Sequence, residues 1–472
     1  MIYMEARENN SNKKFFTIIN ILSTFIVQGL TFFSLPYFAN VLGTENYGIY
    51  TIYFTWVQIL SIVFSLQAGE TIGISRNTYP EEKQKSFQSS VLSLAFTAYV
   101  VLSTVVFATV GILNHFKVMQ VNIVIVGLAL IHGWGMYCVS FVQSKFSYEF
   151  KAVKNFCLSL TVSVLTITLC ILLIKTHAPE TNYLGLMKGQ SLVYSIMGVA
   201  LFTYVLIQGK TFFNKEYWKF TLPISFPIVF HLLAIFALNQ SDKLMIQWMI
   251  DSSSVGIYAL VCTFSTVVNS IWIALNNSWV PFFYEYTRNN DYESIAAHSK
   301  NYIELFSVIT VGFILLSKEV YLWYASDNFR SVWFMIPLFV LGYYFVFLYS
   351  FPVNFEFFYK KTKTIALGTI LAAFINIVLN IVFILKWGIV GAAIATAIAR
   401  FIQFIFHFVS VQRIKDGKYP YRLKDFYVSF LMVEVACILF YISSGLWYIR
   451  WSIGAIIGIF ELVKIIKRRA IF

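Results

Sequence analysis

Apolar runs of about 20 residues, each long enough to span a hydrocarbon core near 30 Å, follow one another along almost the whole of this 472-residue chain. Such a series has no place in a soluble domain. The composition agrees, with 58% of residues hydrophobic and 12% charged, where soluble domains carry roughly 25% charged residues. The runs are continuously apolar and do not alternate, which excludes a membrane β-barrel. The sequence therefore predicts an all-α polytopic membrane protein.

Fourteen runs can be placed, at approximately 15–40, 48–74, 87–113, 118–143, 155–175, 183–208, 221–248, 256–284, 301–325, 332–358, 364–386, 389–412, 426–448 and 450–466. Short connections use up the remainder and leave no room for a soluble domain. The first run is too long for a signal-peptide core and no A-x-A-like cleavage site follows it, so it is expected to be retained. The five cysteines all fall within runs, without metal-ligand spacing, and are read as packing residues.

The formal charge of +13 would suit a nucleic-acid binder, but the placement of the charges points to membrane orientation. With the N-terminus in the cytoplasm, 26 of the 35 Lys and Arg residues fall in cytoplasmic segments. Six fall in outer loops: Lys117, Lys175, Lys318, Arg330, Lys386 and Arg450. The other three, Lys188, Lys243 and Arg400, fall within runs. An excess of Lys and Arg in short loops marks the cytoplasmic side. Both termini are thus expected in the cytoplasm, and no nucleic-acid partner is expected.

Two turns recur at nearly one offset. VLGTENYGIY, Val41 to Tyr50, is echoed by MIDSSSVGIY, Met249 to Tyr258; Gly185 ahead of run 6 is echoed by Gly391 ahead of run 12. Six runs separate the members of each pair, and an even number preserves orientation, so the copies form parallel repeats about an axis along the membrane normal. This predicts two six-helix lobes, 1–208 and 209–412, followed at 413–472 by a cytoplasmic linker and an extra helix pair. In this reading Gly48 and Gly256 relieve the backbone where the chain re-enters the membrane, and Tyr50 and Tyr258 anchor at the interface.

LGTENYGIYT after the first run, D-K-x-x-I beginning at Asp242 and followed by SSSVGIYA, and WGIVGAAIATAIAR entering run 12 resemble the polysaccharide transporter family. These are the Wzx-type oligosaccharide and O-antigen flippases of the multidrug/oligosaccharidyl-lipid/polysaccharide (MOP) superfamily. The likeness covers runs 1 to 12 in order. It implies a fold like that of MATE exporters and lipid II flippases: two bundles in a V around a central cavity, working by alternating access. The substrate it implies is a glycan on a polyprenyl pyrophosphate, a capsule, O-antigen or exopolysaccharide unit. That lipid would move from the inner to the outer leaflet of a bacterial or archaeal cytoplasmic membrane. The resemblance implies a transporter and not an enzyme, with no cofactor beyond proton or sodium coupling. Its partners would be the lipid-linked glycan, the bilayer and a glycan polymerase complex, and a monomer is expected.

A charge near the bilayer centre costs at least about 2.5–3.5 kcal/mol, so ionisable residues within the runs are the candidates for function. Arg400 lies eleven residues into run 12, about 16 Å along the helix and close to the midplane. Its guanidinium stays charged and can hold a pyrophosphate bidentately, or it can form a structural pair with a carboxylate of the second lobe. Lys188 in run 6 either lines the lumen or snorkels outward. Arg76 and Gln28 complete the lumen candidates for substrate binding, although Arg76 counts mainly as a topology charge and Gln28 can equally bond a neighbouring helix. Asp242 and Lys243, with Asn239, lie in the most polar stretch of any run. Together with Glu70 they form either a coupling site for an ion or proton or a hydrogen-bond network between lobes. His132, His231 and His407 stand singly on separate runs and are read as packed, neutral imidazoles.

The leading reading is a lipid-linked oligosaccharide flippase. Within the same superfamily the alternatives are a lipid II flippase or a cation-coupled exporter of small molecules. The exporter calls for buried acids in the first lobe, where Glu70 stands almost alone. A membrane glycan polymerase is the distant alternative, since such enzymes carry long outer loops with paired catalytic residues and the outer loops here are short.

Overall fold

A computed structural model of the chain describes residues 2–118, 120–414 and 419–468. Lys415, Lys418 and Arg469, counted above among the cytoplasmic charges, lie outside the described residues. No strand occurs among the described residues. The helices are α1 (Ile2–Phe64), α2 (Thr71–Thr78), α3 (Glu81–His115), α4 (Ile123–Tyr148), α5 (Ala152–Ile174), α6 (Asn182–Gly209) and α7 (Lys215–Met249). They continue with α8 (Ser252–Arg288), α9 (Tyr292–Tyr324), α10 (Asp327–Arg330), α11 (Ile336–Phe358), α12 (Thr362–Val411), α13 (Leu423–Ile442) and α14 (Trp447–Arg468).

Among the described residues, eleven helices are long and apolar enough to cross a membrane, which makes this a multi-pass membrane protein. Two of them are interrupted. α1 breaks at Gly43 (φ 75°, ψ 174°) and α12 at Gly388 (φ 58°, ψ −139°). Both conformations belong to glycine, because a Cβ would meet the neighbouring peptide. α1 therefore holds expected runs 1 and 2, and α12 holds runs 11 and 12. α14 takes up the expected run at 450–466 but stands apart from the eleven, since Arg450, Glu461, Lys464 and Lys467 interrupt its apolar character.

Run 2 ends earlier than expected. The helix stops at Phe64, Leu66 and Gln67 take positive φ, and a 3-10 turn at Ala68–Glu70 leads into α2. A backbone group freed by this break is satisfied from α4, where the Tyr137 hydroxyl accepts from Gly69 N at 3.0 Å. In an apolar surround such a group must find a protein partner.

The chain divides into two compact units, residues 1–236 and 237–472. In the first, α4 and α6 cross at glycine: a Cβ on Gly198 would lie 2.7 Å from Gly135 Cα, and one on Gly135 would overlap the Tyr194 carbonyl. Small residues let membrane helices approach at backbone distance. The turn at Gly43 is stitched to the start of α6. Asn46 Nδ2 donates to Pro179 O at 2.8 Å and to Asn182 Oδ1 at 3.0 Å, and Asn182 Nδ2 donates to Val41 O at 3.0 Å. Lys145, read from the sequence as a loop charge, is buried on α4, where it donates to Gln88 Oε1 at 2.5 Å and pairs with Glu149 at 3.3 Å. Burial alone would push the Glu149 carboxyl up. The hydrogen bonds and charges of Lys151 and Lys145 outweigh it and hold that group below the ordinary range.

The two repeat tyrosines are not interface anchors. Tyr50 is buried and accepts from Gln190 Nε2 of α6 at 2.6 Å; Tyr258, in the second unit, is buried and donates to Asp242 at 2.6 Å. Each sits on a packed face of its helix, and a buried phenol hydroxyl needs a partner.

In the second unit the DSSS turn serves as a helix cap, Asp251 accepting from Ser254 N at 2.7 Å at the start of α8. α13 and α14 pack on α9. Arg450, fully buried on α14, pairs with Glu319 of α9, to which Trp451 Nε1 also donates at 3.2 Å. Beside it Lys318 donates to Ser444 O at 2.6 Å and lies 4.3 Å from the Trp333 ring, while Lys464 pairs with Glu304 farther along α9. Lys318 and Arg450, read from the sequence as outer-loop charges, thus form part of a helix contact. A charge buried there has to be paired.

Candidate functional site

Within the second unit, α7, α8, α11 and α12 enclose a cavity of about 430 Å³. α7 contributes four polar residues from little more than one turn, Asn239, Gln240, Asp242 and Lys243, and α12 contributes Thr396 and Arg400 one turn apart. The small residues Ala393 and Ala397 let α12 supply a wall on which Arg400 is the largest group. The spacing Thr396 to Arg400 puts hydroxyl and guanidinium on one helix face.

Asp242 is 3% exposed and carries three hydrogen bonds. Tyr258 Oη and Thr396 Oγ1 donate to Oδ2 at 2.6 and 2.7 Å, and Asn380 Nδ2 donates to Oδ1 at 2.7 Å. A second ring holds the first. Asn376 Nδ2 donates to Thr396 Oγ1 at 3.0 Å, while Ser241 Oγ and Asn380 Nδ2 both donate to Asn376 Oδ1 at 3.1 Å. Three donors go far to replace the water a buried carboxylate loses. All of these partners lie in the same unit as Asp242.

Arg400 is held differently. It is 7% exposed, its Nη2 donates to Asn239 Oδ1 at 3.0 Å, and its guanidinium lies 4.7 Å from the centre of the Tyr343 ring. A Cβ on Gly342 would approach Nη1 to 3.3 Å, so the glycine makes room for the group. Among the described residues Arg400 makes no ion pair, and its buried Nε has no hydrogen-bond partner. The sequence left open a structural pair with a carboxylate, and among the described residues none is within ion-pair distance of Arg400. Two more buried polar atoms on the cavity wall, Gln240 Oε1 and Trp272 Nε1, also lack a partner.

The remaining candidates lie in the first unit. Lys188 donates to His177 Nε2 at 3.1 Å, and His177 Nδ1 bonds Leu173 O at 2.9 Å. An ammonium has no lone pair, so Nε2 accepts and the ring proton sits on Nδ1. Lys188 is therefore tied to the turn between α5 and α6. Glu70 and Arg76 are exposed on the 3-10 turn and on α2, and Gln28 is exposed on α1. The structure thus gathers Asn239, Asp242, Lys243 and Arg400 around one cavity, and leaves Lys188, Glu70, Arg76 and Gln28 at separate places in the first unit.

Several residues of the site were not among the site candidates read from the sequence. Asn380 and Thr396, with Tyr258, which was read as an interface anchor, complete the Asp242 shell, and Tyr343 faces Arg400. Asn376 and Asn380, four apart in an otherwise apolar run, were the available signal. His407, read as a solitary packed histidine, has a buried acid partner: its Nδ1 lies 2.7 Å from Glu356 Oε2.

The family described as polysaccharide biosynthesis protein matches residues 16–287. Lsg locus putative protein 1 of Haemophilus influenzae is 22% identical over 374 residues, which cover 76% of this chain and 88% of that protein. Among solved structures, the lipid II flippase MurJ in an inward closed conformation aligns with a TM-score of 0.71 at 19% identity, over 96% of this chain and 99% of that one. A MOP superfamily transporter from Pyrococcus furiosus aligns with a TM-score of 0.51 at 15% identity, over 84% of this chain and 93% of that one. The fold is the one these transporters share.

Proposed function

Because this chain belongs to the polysaccharide biosynthesis protein family, which matches more than half of it, we propose that it is a flippase. Its cargo in this reading is a polyprenyl-pyrophosphate-linked oligosaccharide, moved from the inner to the outer leaflet by alternating access. The observation that carries the reading is Arg400, a buried cation on a cavity wall that makes no ion pair among the described residues. A cation held by a ring face and one amide is short of charge partners, and a pyrophosphate supplies them bidentately. The unpartnered Gln240 and Trp272 atoms beside it suit the hydroxyl groups of a sugar.

Coupling falls to Asp242 in the same reading. Its shell of two hydroxyls and a carboxamide can serve a protonated acid, or can turn oxygens toward a sodium ion. The working lobes are residues 1–208 and 209–412, with the C-terminal pair added to the second and both termini in the cytoplasm. A topology reporter fused after Asp425 then reads cytoplasm, and an outer signal there breaks the orientation.

The decisive experiment is depletion. Lipid-linked glycan should accumulate on the inner leaflet while surface glycan falls. Normal surface glycan after clean deletion, in a host with no redundant transporter, would overturn the proposal.

A further inference from the structure

Glu356 on α11 and His407 on α12 are both fully buried, and Nδ1 meets Oε2 at 2.7 Å. Neither makes a second ion pair among the described residues, and the outer atoms of the pair, Glu356 Oε1 and His407 Nε2, have no hydrogen-bond partner. The imidazole is packed tightly. A Cβ on Gly368 would overlap His407 Nε2, and the Tyr349 ring centre lies 5.1 Å from that of the imidazole. The other titratable neighbours among the described residues are phenols, Tyr349 on α11 and Tyr419 ahead of α13, both interacting electrostatically with Glu356. Lys360, Lys361 and Lys363, on the turn between α11 and α12 and just beyond it, are exposed. Among the described residues, no charged group other than the two partners lies within ion-pair distance of either.

With one proton between them the two groups are neutral overall, as imidazolium with carboxylate or as imidazole with carboxylic acid. Removing that proton leaves an unpaired carboxylate, and adding one leaves an unpaired imidazolium. Either costs several kcal/mol in a buried, largely apolar place. While α11 and α12 stay packed, one proton between the two groups is the arrangement that buries no net charge; any other state is favoured by parting the helices enough to admit water. His407 lies two turns along α12 from Arg400, about 10 Å by the rise of the helix, and Arg400 rests on Tyr343 of α11. Movement of α12 on α11 at His407 is thereby felt at the cavity wall.

We propose that Glu356 and His407 form a proton-binding clamp that locks the register of α12 on α11, so that gain or loss of its proton is linked to displacement of Arg400. The flippase assignment is not needed for the clamp itself, only for its bearing on transport. Stability alone does not account for the pair, because replacing a buried ion pair by well-packed apolar groups is often neutral or stabilising.

The test is hydrogen exchange of the α12 backbone between residues 400 and 411 in the full-length protein in detergent, read against pH. A proton linked to opening changes the exchange rate by up to about tenfold per pH unit beyond intrinsic chemistry. That excess pH dependence is expected in the parent. It should weaken in Glu356→Gln, which keeps an acceptor for Nδ1 but leaves His407 as the one titratable partner. The apolar double variant Glu356→Met/His407→Leu should melt at or near the parent temperature and lack it altogether. Absence of excess pH dependence in the parent would overturn the clamp, as would its survival in the double variant. A parent with the dependence but no glycan transport leaves the clamp standing and sinks the flippase assignment alone.

Discussion

The guanidinium of Arg400 lies 4.7 Å from the centre of the Tyr343 ring, so this buried cation on the cavity wall is met by an aromatic face and, among the described residues, by no ion-paired acid. A cation–π contact of this kind contributes about 0.5–2 kcal/mol, far less than the desolvation of a full charge. The arrangement keeps the cation available to an anionic ligand.

Replacing Arg400 by Ala should therefore cut glycan export sharply at unchanged protein level. Charge-assisted hydrogen bonds contribute about 1.5–3 kcal/mol, so the loss is on the order of tenfold to a hundredfold. Arg400→Lys keeps the charge without the planar fork and should fall between. Tyr343→Leu should weaken export less than either. Surface glycan normalised to protein level is the measurement, and export at the parent rate in Arg400→Ala would remove it from the substrate path.

Asp242→Asn places an amide where three donors converge. One amide hydrogen must then face a donor, at a cost of about 1–3 kcal/mol. Thermal unfolding in detergent should show a lower midpoint. If Asp242 also couples transport, residual export in this variant should become insensitive to collapse of the proton and sodium gradients.

Arg450→Ala leaves Glu319 facing a buried contact without its partner. Breaking a buried pair costs about 3–5 kcal/mol, and partial exposure of Glu319 puts the expected loss near the lower figure. The double variant Arg450→Met/Glu319→Gln should recover much of it. Denaturant or thermal unfolding of the three proteins reads the difference.

Glu149 gives a pH prediction with a definite sign. Its folded carboxyl titrates below the ordinary range, so its contribution is complete above the unfolded value, roughly pH 4.3, and fades as pH falls through the folded one. Glu149→Gln should lower the melting midpoint at pH 7 and converge on the parent as the solution is acidified. A gap that widens on acidification would contradict the Lys145 and Lys151 contacts.

What could be read from the sequence followed hydropathy. Arg400 and Asp242 stood out because a charge inside an apolar run is conspicuous, and the glycine turns marked where runs ended. Neutral polar residues such as Thr396 and Asn380 leave the hydropathy of a run almost unchanged, so the shell around Asp242 was invisible even though Asn376 and Asn380 share a helix face. Lys145 was hidden by neighbouring loop lysines, which made it look like a residue of a helix end in solvent, and Glu356, two residues from the end of its run, drew no reading at all. Tyr50 and Tyr258 misled for the related reason that a tyrosine near a span end has two uses, and only the packed neighbour decides between them.

The contact between Arg450 and Glu319 also sets an order of events during synthesis. Glu319 leaves the ribosome 131 residues ahead of its partner, a delay on the order of ten seconds at roughly 5–20 residues per second. For that interval Glu319 of α9 is without Arg450, the partner it pairs with in the folded chain. Such a segment gains little from moving into lipid alone, so α9 is best retained beside the insertion machinery until α14 arrives. A ribosome stalled between α9 and α14 would leave α9 waiting there, ready for degradation.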